Sequence, residues 1–509
     1  MVRKNPESMI KIAEFGAAEQ VPGSNLLLTV GNEHYQIDTG TEYFRSEKKK
    51  KWGYNAGLLV KSAHDLKIKN VLFTHAHADH IGDFFEFLDS CSQQQRKSLK
   101  VYSTHMTRDI ARLQFQQAWR GRSDNFSQEL DTAMELFQSD DGMPGFPYEK
   151  QIKLDERVKI TFFEAGHIPG SAQILCEIKQ PGKSKPITLL TAFDLGRTDY
   201  KVLGHKVADI PILKYPHKDF PKKIDYIVIE ATYGDKVHHN LEDSIAILEE
   251  SANDAAKHNG KLIIPAFSIM RTHMLWNFLY RLNEKGKLPE DMVFYSSSPT
   301  ANDVGSIILK HSENFDEMAA KEFASKQYNP FHFDSLVHLK SAAEGRSIWM
   351  NPPPGPWAAI AASGMCEGGR IEDILRTTLD DSKNILLITG YQAEGTRGKE
   401  IWDKKDLKNQ EISFTKYDLE TKEKTKTFVP LRANVRRMHG LSGHADVREI
   451  IEHLKYLHNP ENGEQFKGIY IKHGEKNACH SLRGAIIGAG FNPDTVHVMK
   501  KAKGYTLAK

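Results

Sequence analysis

A layered α/β fold, with a second domain inserted into the first, is predicted by three observations. Short apolar runs end repeatedly in histidine or aspartate, as in "YQID", "NVLFTHAHADH", "FFEAGH" and "LLTAFD". From "DYIVIEATYGD" onward, apolar runs alternate with helical text, the pattern of a parallel sheet. From about residue 431 the chain returns to strands that end in histidine, in "MHGLSGHAD" and "GIYIKHGE".

The elements follow in order. "MIKIAEFGAA", "SNLLLTVG" and "EHYQIDTG" are short apolar runs punctuated by glycine, the start of a β-meander. Val71 to Phe73 form a buried strand leading into the histidine cluster, and "SLKVYSTH" is another short strand. Residues 106–140 carry apolar side chains at helical spacing in "TRDIARLQFQQAWR" and "FSQELDTAMELFQS". Strands resume with "VKITFFEAGHIPGS" and "ITLLTAFDLGR". In the second block, "LEDSIAILEESANDAAKH" and "MRTHMLWNFLYRLNEKG" read as helices. "GKLIIPAF", "MVFYSSSP" and "SIWMNPPPG" read as strands, and "NILLITGYQAEGTRGKE" as strand, turn and helix. The boundaries read as 1–235 for the first part of one domain, 236–430 for the inserted domain and 431–509 for the return.

Composition is that of an ordinary globular protein, with 39% hydrophobic and 27% charged residues. A net charge of only +3 announces no nucleic-acid partner by itself, so such a claim must rest on local features. No apolar run approaches the roughly 18 residues of a membrane span, and no secretory leader is visible, so no membrane partner is expected. The cysteines Cys91, Cys176, Cys366 and Cys479 are scattered without a CxxC pair. That pattern suits small buried core residues in a reducing cytoplasm. The lysine run "SEKKKKW" (46–52) is either a solvated loop or a phosphate-contacting one.

"THAHADHIGD" concentrates His75, His77, Asp79 and His80 in six residues after a strand. Imidazole and carboxylate are zinc ligands, and a catalytic site needs such ligands plus an open position. Alternation sends His75 and His77 to one side, while Asp79 and His80 reach toward a second ion. His167 and Asp194, at later strand ends, complete a dinuclear set. Asp38 is either a carboxylate orienting a ligand histidine or a turn-forming residue.

These residues in this order resemble the successive motifs of the metallo-β-lactamase fold, an αββα sandwich. "VIEATYGD", "IIPAFSIMR", "SSSP", "ASGMCEGGR", "GYQAEGTRG", "LSGHAD" and "KHGE" follow, also in order. Together they resemble the β-CASP subfamily, nucleases with an α/β domain on a mainly parallel sheet inserted into that sandwich. The nearest form is the RNA-cleaving branch, which includes the nuclease subunit of the eukaryotic cleavage and polyadenylation machinery and short prokaryotic relatives.

The resemblance implies two zinc ions: one on His75, His77 and His167, the other on Asp79, His80 and His473, with Asp194 bridging. Glu230, His444 and His473 match the family's acidic and two histidine motifs. His473 points to RNA, because DNA-repair members tend to carry an apolar residue there. Asp79, Glu230 and His444 are the expected catalytic residues, with His444, poised by Glu230, giving the leaving oxygen its proton. Ser268, Arg271, Ser298, Ser363 and Gly364 lie in segments resembling phosphate-contacting loops, although a turn or capping role suits each one singly. Lys472, Arg432, Arg436 and Arg437 are further candidates to line the cleft.

The expected activity is hydrolysis of single-stranded RNA, mainly endonucleolytic, leaving 5′-phosphate and 3′-hydroxyl ends, with 5′–3′ exonuclease activity as an addition. A DNA nuclease of the same fold is the alternative, and a homodimer is a family expectation. Three departures from the family pattern stand out. Phe193 replaces the usual glycine before Asp194, Thr300 replaces a leucine, and "MRTHML" replaces the usual text around Arg271.

Overall fold

The computed structural model describes residues 8–46, 51–55, 65–121, 134–197, 201–202, 205–206, 224–315, 317–325, 329, 331–417 and 424–508. The charged stretch 47–50 lies outside these residues, as does the first part of the second helical segment expected between 126 and 139. The chain divides into two compact units. One comprises 1–199, 211–237 and 443–509, and the other 200–210 and 238–442.

The first unit is built on two seven-stranded sheets. One runs in the order Gly504–Ala508, Ile10–Glu14, Leu26–Val30, Glu33–Ile37, Asn70–Leu72, Lys100–Thr104 and Gly145–Phe146. The other runs Val496–Val498, Gly468–Lys472, Tyr226–Glu230, Ile187–Ala192, Ala172–Ile178, Val158–Glu164 and Gln151–Lys153. Side-chain alternation explains why the second sheet is sandwiched. Val158, Ile160, Phe162, Leu189, Val228 and Tyr470 share a core with Ile12, Leu28 and Ile37 of the first sheet. Their neighbours Phe163, Leu190, Ile227, Ile229, Ile469 and Ile471 face a separate core with Ile450, Leu454, Leu482 and Ile486. Those last four come from the helices Val447–Leu457 and Lys476–Gly488, which cover that face. Strands buried on both faces read as continuous apolar runs, as "YIVI" does.

In this sheet Ile187–Ala192, Tyr226–Glu230 and Gly468–Lys472 are parallel neighbours. Their C-terminal ends therefore deliver Asp194, Glu230 and His473 to one edge. In the first sheet Glu33–Ile37, Asn70–Leu72 and Lys100–Thr104 are also parallel. Asp38 and the histidine cluster leave that sheet from adjacent strands.

The second unit holds a six-stranded sheet in the order Leu336–His338, Val293–Ser297, Trp357–Ala361, Lys261–Pro265, Ile385–Ile388 and Asn434–Arg437. Every pairing in it is parallel. Helices Leu241–Lys257, Arg271–Glu284, Pro299–Lys310 and Ile371–Thr378 alternate with the strands.

One expected strand is a helix. Ala342–Met350 takes up all of the "SIWM" text, capped by Ser341, whose side chain accepts the Glu344 N–H. Trp349 is buried on this helix, 5.3 Å from the Trp357 ring. Three apolar residues before a proline fit either period, and the serine cap with this aromatic contact decides for the helix. An antiparallel hairpin, Glu411–Tyr417 with Lys424–Pro430, was not expected. All four cysteines are buried and unpaired in disulfides. No helix among the described residues is long and apolar enough to cross a membrane.

Candidate metal centre

The histidine cluster begins where the strand Asn70–Leu72 ends. The chain bends at Thr74, runs on without regular structure to an extended His77, and closes into a single helical turn over Ala78–Ile81. His75 and His77 lie on the irregular stretch before the turn, which folds Asp79 and His80 back. The turn is locked to the neighbouring loop by Thr39 N–H to His80 O at 2.7 Å and Thr41 N–H to Ala78 O at 3.0 Å. Gly40 makes this approach possible: a Cβ there would stand 1.7 Å from the Asp79 carbonyl oxygen.

Two groups of donors result. His75 Nε2 and His167 Nε2 each lie 3.1 Å from His77 Nδ1. His80 Nε2 lies 3.2 Å from His473 Nε2, which is 3.6 Å from Asp79 Oδ2. Asp194 stands between the groups, with Oδ2 3.4 Å from His75, 3.5 Å from His167 and 3.3 Å from His80. These separations suit metal ions. Tetrahedral ligands at zinc distances of about 2.0–2.1 Å stand roughly 3.3 Å apart. The buried Asp194 Oδ1 makes no hydrogen bond among the described residues and stands 3.3 Å from His473 Nδ1.

Protonation matches the donor geometry at His75, His77 and His167, whereas the carboxylates around His80 favour its charged form. Burial, with the neighbouring His80, holds His75 well below its ordinary value, and burial lowers His77 to about 4. Burial and His444 likewise hold His167 well below. All three thus present lone pairs at neutral pH. Burial opposes charge on His80, but the Asp194 and Asp38 carboxylates override it and raise this group well above the usual range. Burial also opposes charge on Asp194, and the His473, His80 and His444 rings hold its carboxyl well below the carboxylate range.

A second layer fixes the rings. His167 Nδ1 faces the Gly443 carbonyl at 3.0 Å, and His80 Nδ1 faces Asp38 Oδ2 at 2.7 Å. In the neutral ring, a proton on Nδ1 leaves Nε2 as the ligand atom; His80 reaches that form only by giving up its second proton, as metal binding requires. Asp38 also accepts the Thr74 N–H at 2.9 Å and its hydroxyl at 2.8 Å. Thr232 Oγ1 lies 3.1 Å from His473 Nδ1.

Beside these groups sits a third. Glu230, fully buried, places Oε2 2.8 Å from His444 Nδ1, while its Oε1 accepts the Leu195 N–H at 2.6 Å. Glu230 therefore ties the Asp194 turn to His444, whose Nε2 is 4.0 Å from Asp194. Burial disfavours charge on His444, but Glu230 and Asp194 outweigh it and raise the ring to about 9. The loop holding His444 ends in a capping box at Asp446 and Glu449, which starts the helix Val447–Leu457.

The remaining expected site residues lie in the second unit, after the C-terminal ends of adjacent parallel strands, where open α/β sheets bind ligands. Ser268 and Ser298 are joined Oγ to Oγ at 2.9 Å, and Ser298 also caps the helix Pro299–Lys310. Arg271 donates to the Thr389 carbonyl at 2.8 Å, and Ser363 to the Glu367 carbonyl at 2.7 Å. The Gly364 carbonyl accepts from Gln392 at 2.9 Å. Two aromatic side chains that the sequence reading passed over stand on this rim: Phe267, 38% exposed, and Tyr391, 60% exposed. Phe267 packs against Gly364 so closely that a Cβ there would meet its ring at 2.9 Å.

Lys472 departs from expectation. It is fully buried, with its ammonium 2.6 Å from Glu14, and so lines no cleft. Arg436 pairs with Asp254 at 2.6 Å and Arg432 with Asp380 at 3.2 Å, both within the second unit. Arg437, in the same unit, stands over the Trp402 ring at 5.5 Å.

Comparison with known proteins gives three family matches. They are the metallo-beta-lactamase superfamily over residues 19–183, the Beta-Casp domain over 272–401, and the Zn-dependent metallo-hydrolase RNA specificity domain over 429–498. The chain is 27% identical over 476 residues to Ribonuclease TTHA0252 of Thermus thermophilus, covering 93% of this chain and 95% of that protein. It is 25% identical over 484 residues to the transcription termination factor FttA of Methanosarcina mazei, covering 94% and 69%. It is 26% identical over 462 residues to the endoribonuclease YSH1 of Candida glabrata, covering 87% of this chain and 53% of that one. A crystal structure of a protein of unknown function from Enterococcus faecalis V583 has the same fold. Its TM-score is 0.53 at 11% identity, covering 98% of this chain and all of the other.

Proposed function

This chain belongs to the β-CASP family of metallo-β-lactamase-fold nucleases, metal-dependent enzymes that hydrolyse RNA, and from that premise we propose that it is a two-zinc endoribonuclease acting on single-stranded RNA. His75, His77 and His167 would hold one ion and Asp79, His80 and His473 the other, with Asp194 standing between the two groups. Bound there, the ions supply Lewis acidity, neutralising charge on the scissile phosphate and acidifying a water.

The protein's own groups do the rest. Asp38 and the Gly443 carbonyl hold His80 and His167 with Nε2 turned to the metal. His444 carries a proton on Nε2 and gives it to the departing 3′-oxygen. Glu230 keeps that proton available by bonding Nδ1 and stabilising the imidazolium. Products carry 5′-phosphate and 3′-hydroxyl ends, and 5′–3′ trimming from a free end uses the same groups. The serine, arginine and amide groups at Ser268, Arg271, Ser298, Ser363 and Gly364 bind substrate phosphates. Phe267 and Tyr391 offer stacking faces to bases, a sequence-tolerant mode suited to single strands.

The observation that carries this reading is the 2.8 Å Glu230–His444 pair beside the two donor groups. A metal site alone would serve many hydrolases; a poised acid with its own carboxylate answers a leaving group that needs a proton. End-labelled RNA and DNA of one sequence test it. The expected result is internal cuts in RNA with 5′-phosphate ends, abolished by chelation and restored by zinc. Equal cutting of DNA would contradict the choice of substrate.

A further inference from the structure

We propose that Lys472 is a positioning residue for the second metal site, acting through Ser24 and Asp38 on His80 and through its own chain neighbour on His473. The inference rests on the two-metal reading above. Lysine is rarely buried, yet Lys472 is completely so. Its ammonium lies 2.6 Å from Glu14 Oε2, donates to Ser24 Oγ at 2.8 Å, and stands 3.9 Å from the centre of the Phe193 ring. A buried ion pair carries a desolvation cost that an apolar pair avoids, so its presence calls for a reason beyond stability.

Two connections supply that reason. The first is a directed hydrogen-bond relay. An ammonium can only donate, so Ser24 accepts from Lys472 and its single hydroxyl proton is left for Asp38. Ser24 Oγ is 3.2 Å from Asp38 Oδ2, the same oxygen that faces His80 Nδ1 at 2.7 Å. The relay thus holds the carboxylate that holds the ligand ring. The second connection is covalent adjacency. Lys472 precedes His473 and Phe193 precedes Asp194, and both ligands turn away at left-handed φ, 53° and 43°. The ammonium on the Phe193 ring clamps these two turns together, which gives a place to the phenylalanine that departs from the family's glycine. Glu14 completes the clamp. Its Oε1 accepts the N–H groups of Gly16, Ala17 and Asn25, and the Ala17 carbonyl accepts the His473 N–H at 2.8 Å.

The test compares the full-length wild type with Lys472→Met, Ser24→Ala, and the double variant Glu14→Gln with Lys472→Met. Zinc per chain is followed by mass spectrometry during titration with a chelator, and the metal-free proteins are melted in parallel. The wild type is expected to hold two ions. Lys472→Met should release the second at a chelator concentration about 10- to 100-fold lower, the usual scale for outer-layer partners, and shift the first much less, through Asp194 alone. Ser24→Ala, which leaves the ion pair intact, should shift the second ion in the same direction. The double variant should melt higher than Lys472→Met, having no unpaired carboxylate, and still hold the second ion weakly; it also serves if the single variant fails to fold. A double variant that regains wild-type second-ion affinity along with stability would reduce the pair to a structural role and overturn the proposal. Unchanged affinity in Lys472→Met, beside a two-ion wild type, would overturn it alone. A wild type with one ion would overturn the two-metal reading and this inference with it.

Discussion

Asp38, Asp194 and His473 all sit at left-handed backbone angles, with φ of 59°, 43° and 53°. Such angles are uncommon for residues other than glycine, and they concentrate at sites where surrounding structure enforces them. Here each turns the chain back at a strand end, so that a ligand or its partner faces the centre. His444 is the proposed proton donor. Its ring is raised to about 9, so the acid form persists through neutral pH and is lost as pH rises through that value. Cleavage should therefore fall on the alkaline side. Glu230→Gln removes a carboxylate that raises the ring, and its alkaline limb should move to lower pH. His444→Ala should retain both ions and lose roughly 10²–10⁴-fold in kcat. A pH–rate profile of Glu230→Gln identical to the wild type would contradict the assignment.

At the scale of elements, the centre is made by loops leaving parallel strands, and loop-to-loop packing decides whether they meet. Gly40 shows the tolerance. Its missing Cβ would overlap the Asp79 carbonyl at 1.7 Å, so Gly40→Ala must push the Asp79–His80 turn away from its neighbour. The expected outcome is loss of the second ion with the first retained, read as one zinc per chain. Two tightly held ions in that variant would show that the loop contact does not matter.

This scale also explains what the sequence could reveal. The cluster from His75 to His80 was legible because four ligand side chains in six residues have few other uses. His167 and Asp194 were legible as strand ends in the right order. Glu14 and Ser24 were not, because their partner Lys472 lies more than 440 residues away in sequence, on a strand of the other sheet. A glutamate ending one strand and a serine in one turn leave no local signature of that meeting. Lys472 was misjudged for the same reason. A lysine beside a ligand histidine reads as a phosphate contact until the sheet buries it. The helix Ala342–Met350 was misread because its apolar residues satisfied both periods.

For the whole molecule, the first unit carries every proposed metal ligand and the proton donor, although its chain is interrupted by the second unit. The second unit carries the residues proposed to contact phosphates and bases, on the C-terminal rim of a parallel sheet. The central claim is that the chain opens RNA internally with metal bound. Incubation of a circular single-stranded RNA with the two-zinc protein, beside a circular DNA of the same sequence, tests this most directly, because a circle offers no end to an exonuclease. The account predicts that the RNA circle is linearised and the DNA circle survives. A surviving RNA circle beside a degraded linear RNA, or a DNA circle cut as fast, would contradict it.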